Sequence, residues 1–160
     1  MRKVKAEEVK ALRREISIHR ALAHPNIVRL INAFERDGKL FIFLESLRTN
    51  LFEYMQPRTF DEESALRFFR EVVRSVAFLH SRKLVHRDIK PENVLLDQQR
   101  RVKLCDFGFA AAVESGEKRD TFCGTQQYLP PEIVLGHEQS LKVDIWCLGV
   151  LLFELLHKRV

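Results

Sequence analysis

The segment His86-Arg87-Asp88-Ile89-Lys90-Pro91-Glu92-Asn93 holds a base, a fixed cation and an uncharged oxygen donor within a few residues. In extended backbone alternate side chains share a face, so Asp88 and Lys90 can converge on one point. A carboxylate there can accept a nucleophile's proton, and the neighbouring ammonium can offset developing negative charge. Pro91 stiffens the backbone beyond them. Further along, Asp106-Phe107-Gly108 supplies a carboxylate, an aromatic anchor and a glycine hinge. Asn93 and Asp106 together make a sparse, all-oxygen donor set. Magnesium accepts such sets because phosphates and water complete its octahedron.

Short elements must position these groups. Val9, Leu12, Ile16 and Leu22 recur at near-helical spacing and predict a helix over 6–23, ended by His24-Pro25-Asn26. Residues 27–34 read as a strand, Asp37-Gly38 as a hairpin turn, and 40–44 as the buried partner strand. Asp61 is placed to cap a helix whose first turn carries Glu62 and Glu63. Its buried stripe is expected at Ala65, Phe69, Val72, Val76 and Leu79, down to about His80. Residues 94–96 and 102–105 read as short strands on either side of a polar turn. From 108 to 131 no period is sustained, and a loop that long inside a compact domain is usually functional. Over 141–156 apolar residues surround the helical wheel, the pattern of a helix buried within a domain.

Composition narrows the class. A chain of 160 residues with 46% apolar and 31% charged residues is globular in balance and suits one structural unit. The net charge is +5, but acids interleave with the bases, as in Lys10-Ala11-Leu12-Arg13-Arg14-Glu15, so a solvated helix face is expected and no nucleic-acid partner. Cys105, Cys123 and Cys147 are odd in number and lack Cys-x-x-Cys spacing, which disfavours a disulfide framework or zinc site and suggests a reducing compartment. The histidines are scattered, and no metal site is read from them. No apolar run reaches membrane-spanning length, and residues 1–8 lack a secretory core, so no membrane is expected and an intracellular place, cytoplasm or nucleus, is. A monomer is expected.

The order His-Arg-Asp-x-Lys-Pro-x-Asn followed by Asp-Phe-Gly resembles the catalytic core of the eukaryotic protein kinases. The resemblance extends outward from those motifs. Glu15, ahead of His24-Pro25-Asn26-Ile27, resembles the helix glutamate that pairs with the nucleotide-holding lysine. Leu44-Glu45-Ser46-Leu47 occupies the hinge, where Leu44 would be the gatekeeper and backbone groups at Glu45 and Leu47 would meet the adenine. Glu92, Asn93, Leu95 and Asp106 would line the nucleotide site. Cys123-Gly124-Thr125 and Tyr128-Leu129-Pro130-Pro131-Glu132 resemble the end of an activation segment, and Asp144-x-Trp146-x-x-Gly149 the start of the helix that anchors the catalytic loop. Pro130, at a position where most of the family has alanine, and the stretch 120–125 make the Aurora kinases the most similar subgroup.

The resemblance implies an α+β, two-lobe kinase fold that is incomplete. Residues 1–44 would be the remainder of a small lobe lacking its first three strands, 45–50 the hinge, and 51–160 a mainly helical large lobe ending after the buried helix. It implies transfer of the γ-phosphate of Mg-ATP to Ser or Thr of protein substrates. Asp88 would be the base, Lys90 would offset charge on the phosphate, and Asn93 and Asp106 would hold the ions. Lys90 and Thr125 favour Ser/Thr over Tyr transfer. Thr121 would be the phosphorylated switch, received by Arg87, with Lys118 and Arg119 before it making self-phosphorylation plausible. Glu92 would recognise a basic residue before the acceptor, or else face solvent. Cys123 would be oxidisable or merely packed. Phe107, His86, His19 and Leu30 would form a hydrophobic column, with His19 alternatively a satisfied packed histidine. A glycine-rich loop and the ATP lysine are expected upstream of Met1. Without them the alternative is a non-catalytic kinase-like fragment that acts as a binding module.

Overall fold

A computed structural model describes residues 6–112 and 126–157. Helix α1 (Ala6–Arg20) ends earlier than the expected 23. Ala21 and Leu22 donate instead to the carbonyls of Ile18 and His19, tightening the last turn before Pro25. The strand expected over 27–34 forms later, as β1 (Leu30–Arg36). Ile27 and Val28 are engaged elsewhere: Ile27 makes a parallel bridge to Leu104, and the Val28 N–H donates to the Leu104 carbonyl at 2.9 Å.

β1 pairs antiparallel with β2 (Lys39–Leu44), Arg36 opposite Lys39. Asp37 and Gly38 form the turn between them at φ of 52° and 66°, the left-handed values that a type I′ hairpin needs at both positions. β2 is not the buried strand its apolar run suggested. Phe41, Ile42, Phe43 and Leu44 are each exposed by more than a third, because β1 and β2 form a two-stranded sheet of their own that leaves residues on both of its faces open. There the Phe34 ring stacks on Phe41 at 5.3 Å and on Phe43 at 5.7 Å.

A second sheet, ordered β3-β5-β6, is built from β3 (Thr49–Asn50), β5 (Val94–Leu96) and β6 (Val102–Leu104). The last strand stops short of Cys105. Asn50 also caps α2 (Leu51–Met55), accepting from the Glu53 N–H. Strand β4 (Leu84–Val85) pairs with β7 (Ala111–Ala112) inside the stretch expected to be loop. Elements this short leave no periodicity to read.

Helix α3 (Glu62–His80) begins where expected, with the Asp61 carboxylate accepting the Ser64 N–H at 2.9 Å. Its buried face is Ala65, Phe68, Val72, Val76 and Leu79, with Phe69 only partly covered. Phe68 and Phe69 both stand at helical spacing from Ala65 and Val72, and it is Phe68 that packs into the core while Phe69 stays at its margin. We expect Asp61→Ala to fray only the first turn, with amide exchange at Ser64 and Ala65 roughly fivefold faster and that at Val76 unchanged.

After α4 (Pro131–Val134), helix α5 (Lys142–His157) packs on α3 through Cys147, Leu148, Leu151 and Leu155. Its other side is bare: Ile145, Trp146 and Phe153 are about half exposed and line a groove of about 1070 Å³. The all-round apolar wheel thus describes a helix covered on one side only.

Candidate functional site

The catalytic-type loop runs from β4 into a 3-10 turn at Pro91–Asn93. Its backbone is fixed from a distance. Asp144, fully buried at the start of α5, takes the His86 N–H on Oδ2 and the Arg87 N–H on Oδ1, both at 2.9 Å. Oδ2 also lies 2.8 Å from His80 Nε2 on α3. One carboxylate therefore joins two helices to the loop and satisfies amides that burial would otherwise orphan. Arg87 sits at φ 69°, in the left-handed region.

Beyond this anchor Asp88 and Lys90 do converge: Lys90 Nζ lies 3.0 Å from Asp88 Oδ2. Asn93 Nδ2 donates to that same oxygen at 2.7 Å and to the Asp88 carbonyl at 2.8 Å. Both side-chain bonds to Asp88 fall on Oδ2, so Oδ1 meets no donor among the described residues. It is left as an acceptor. The same bonds orient Asn93, whose amide hydrogens are spent on Asp88, leaving its Oδ1 as an acceptor.

Asp106 follows β6, exposed and at φ 63°. The Cys105 N–H donates to the Asn93 carbonyl at 2.9 Å, which holds the Asp106 bend beside the Asn93 loop. Burial, then the charges of Asp106 and Asp88, push the Cys105 thiol up to about 12. Asp106 Oδ1 accepts the Gly108 N–H at 3.2 Å, which leaves its Oδ2, with Asn93 Oδ1, as oxygens that fit a small hard cation, whereas no cluster of three His, Cys, Asp or Glu side chains stands ready for a metal among the described residues. Phe107 is buried, its ring 4.8 Å from His19 and 5.3 Å from His86. His19 is satisfied there, Nε2 lying 2.6 Å from the Val28 carbonyl. Leu30, the fourth residue of the expected column, opens β1 and is partly buried.

Glu15 reaches the same bend. A Cβ on Gly108 would stand 3.2 Å from Asp106 Oδ1 and 3.6 Å from Glu15 Oε2, so glycine lets the two carboxylates approach. Burial, and then the Asp106 charge, raise the Glu15 carboxyl above its ordinary range. A cation between them would relieve that repulsion.

The segment after β2 carries Glu45 and Leu47, both partly buried. The Glu45 N–H donates to the Arg29 carbonyl at 3.0 Å, and Glu45 Oε1 lies 2.9 Å from Lys103 Nζ. Leu95 stands opposite Lys103 in the β5–β6 pairing, so the two share a face.

Glu92 is exposed at the 3-10 turn. Tyr128 donates its hydroxyl to Glu154 of α5, and burial with the Glu92 charge raises Glu154 although that hydroxyl pulls it down. Arg87 Nε donates to the Phe109 carbonyl at 2.6 Å, and Nη1 to Gln139 Oε1 at 3.2 Å. Thr121, Cys123 and Thr125 lie outside the described residues. Sequence reading passed over Lys103 and Glu154. Each is a charge inside a short apolar stretch, which was the available signal.

Comparison with known proteins agrees with this arrangement. The protein kinase domain family matches residues 1–160. The chain is 43% identical over 147 residues to Aurora kinase B of Mus musculus, covering 91% of this chain and 42% of that protein. It is 41% identical over 155 residues to the Aurora kinase of Schizosaccharomyces pombe, covering 96% of this chain and 43% of the relative. It thus spans less than half the length of these relatives. With its loop, bend and anchoring helix in the family's order, the chain belongs to the protein kinase family and is similar to the Aurora kinases.

Proposed function

We propose that this chain carries the phosphoryl-transfer centre of a serine/threonine protein kinase. The observation that supports this best is the Asp88 carboxylate, one oxygen taken by Lys90 and Asn93 and the other left for a substrate hydroxyl. Asp88 Oδ1 orients that hydroxyl and takes its proton as the oxygen attacks. Lys90 lies within reach of both the carboxylate and a phosphate placed beside it. Asn93 Oδ1 and the Asp106 carboxylate would hold magnesium, which supplies charge neutralisation along the phosphates. Glu45, Leu47 and Leu95 would enclose the adenine. Because the transition state is loose, positioning and electrostatics provide most of the rate.

Substrate selection follows from the same surface. Glu92 and Glu154 repel each other, and a basic residue before the acceptor would relieve them. Arg87 would receive a phosphate on Thr121, which brings about two negative charges, exchanging Phe109 and Gln139 as partners. Thr125 would contact Asp88, and Glu15 would pair with a lysine supplied by the small lobe. On this reading residues 1–44 belong to the small lobe, 45–50 to the hinge and 51–160 to the large lobe. Two free cysteines among the described residues fit a reducing, intracellular place. No helix among those residues is long and apolar enough to cross a membrane.

The test is magnesium-dependent transfer from ATP to a peptide with arginine before its serine, with mass spectrometry of the chain itself. Transfer to serine together with phosphate on Thr121 is the expected result. Transfer with Thr121 unmodified would remove the switch, and absence of magnesium-nucleotide binding would remove the enzyme.

A further inference from the structure

Glu45 and Arg29 face each other one step beyond the β1–β2 pairing, where antiparallel partners usually exchange two backbone bonds. Only one is present. The Glu45 N–H donates to the Arg29 carbonyl at 3.0 Å, but the Arg29 N–H donates at 2.8 Å to the Glu45 side chain, at Oε1, not to the Glu45 carbonyl. The Glu45 carbonyl consequently takes no donor among the described residues. It is left as an acceptor where the chain passes from one sheet to the other.

Oε1 is held in this substitute role by Lys103, whose Nζ lies 2.9 Å from it. Both side chains are largely buried, 14% exposed for Lys103 and 22% for Glu45, so the pair is shielded from the solvent that weakens surface ion pairs. The bonds from Lys103 and Arg29 draw the Glu45 carboxyl below its ordinary range in spite of burial. Lys103 rises from β6 on the face it shares with Leu95, so the contact spans from the floor beneath the hinge to the hinge itself.

We propose that Lys103 is a positioning residue for the purine base: by holding the Glu45 carboxylate on the Arg29 N–H, it keeps the Glu45 carbonyl free to accept the exocyclic amine of adenine. This rests on the nucleotide site proposed above and adds to it the residue that holds its acceptor ready. An acceptor carbonyl at that place favours a 6-amino purine and leaves a 6-oxo purine with two acceptors facing each other. Once Lys103 is removed, the Glu45 side chain is released to solvent. The Arg29 N–H then turns to the Glu45 carbonyl and completes the ordinary pair, at the expense of the base.

The test is calorimetric titration of the 160-residue chain with adenosine and with inosine, for wild type, Lys103→Met, Lys103→Arg and Glu45→Gln. Wild type should prefer adenosine. Lys103→Met should bind adenosine about tenfold more weakly, the scale of one lost hydrogen bond, and inosine little differently, so that the preference shrinks. Lys103→Arg, which retains the cation, should restore most of it. Glu45→Gln, which keeps an acceptor for Arg29 without the ion pair, should fall between. An adenosine-to-inosine ratio unchanged in Lys103→Met refutes the inference and leaves the nucleotide site standing, since general loosening weakens both nucleosides alike. Should Lys103→Met not fold, an unchanged ratio in Glu45→Gln refutes it equally. Wild type that binds neither nucleoside overturns the nucleotide site and the inference together.

Discussion

Asp88→Asn is expected to slow phosphoryl transfer about a thousandfold, in the range usual for loss of a positioned base, while nucleotide affinity changes little. The substitution is nearly isosteric, so its effect can be read atom by atom. The oxygen facing Lys90 and Asn93 is retained, because both are donors and call for an acceptor. The amide nitrogen must then occupy the place of Oδ1, presenting two hydrogens where the substrate hydroxyl needs a lone pair. Orientation and proton acceptance disappear together, and the loop stays folded. Rapid-quench measurement of the transfer step, with a melting curve as control, checks this. A rate within tenfold of wild type would show that Asp88 does not act on the hydroxyl.

Asp144→Ala is expected to cost about 3–5 kcal/mol of stability. The carboxylate is fully buried and serves His86, Arg87 and His80. Alanine leaves two loop amides without acceptors in a dry setting and opens a void between α3 and α5. Urea denaturation followed by circular dichroism gives the magnitude. Because the loop that loses its anchor contains Asp88, whatever folded protein remains should also show faster amide exchange over 86–90. A loss below about 1 kcal/mol would mean that water replaces the carboxylate and the loop holds itself.

Legibility in the sequence follows the range of each interaction. The Asp61 cap, the Asp37-Gly38 turn and the convergence of Asp88 with Lys90 depend on neighbours within five residues, and all are found as read. The exposure of β2 was not readable, because an apolar run reports what a strand is able to bury and not what is there to cover it. Phe68 and Phe69 are chemically alike, and only packing against the core decides between them. The Glu45–Lys103 contact joins residues far apart in the chain, and its effect depends on which of two oxygens accepts a backbone hydrogen. No periodicity encodes that. Asp144 was reached through resemblance, and the structure supplies its physical reason in the amides it serves.

The two bends that carry Arg87 and Asp106 sit at φ of 69° and 63°, where a side chain forgoes about 1 kcal/mol relative to glycine. Free energy is thus stored on both sides of the proposed reacting centre, held in place by the surrounding tethers. A laboratory selection for heat resistance alone would drift toward residues that relax those bends, and in doing so would discard the guanidinium and the carboxylate they display. On the function proposed above, robustness and turnover would pull this chain in opposite directions at the same two positions.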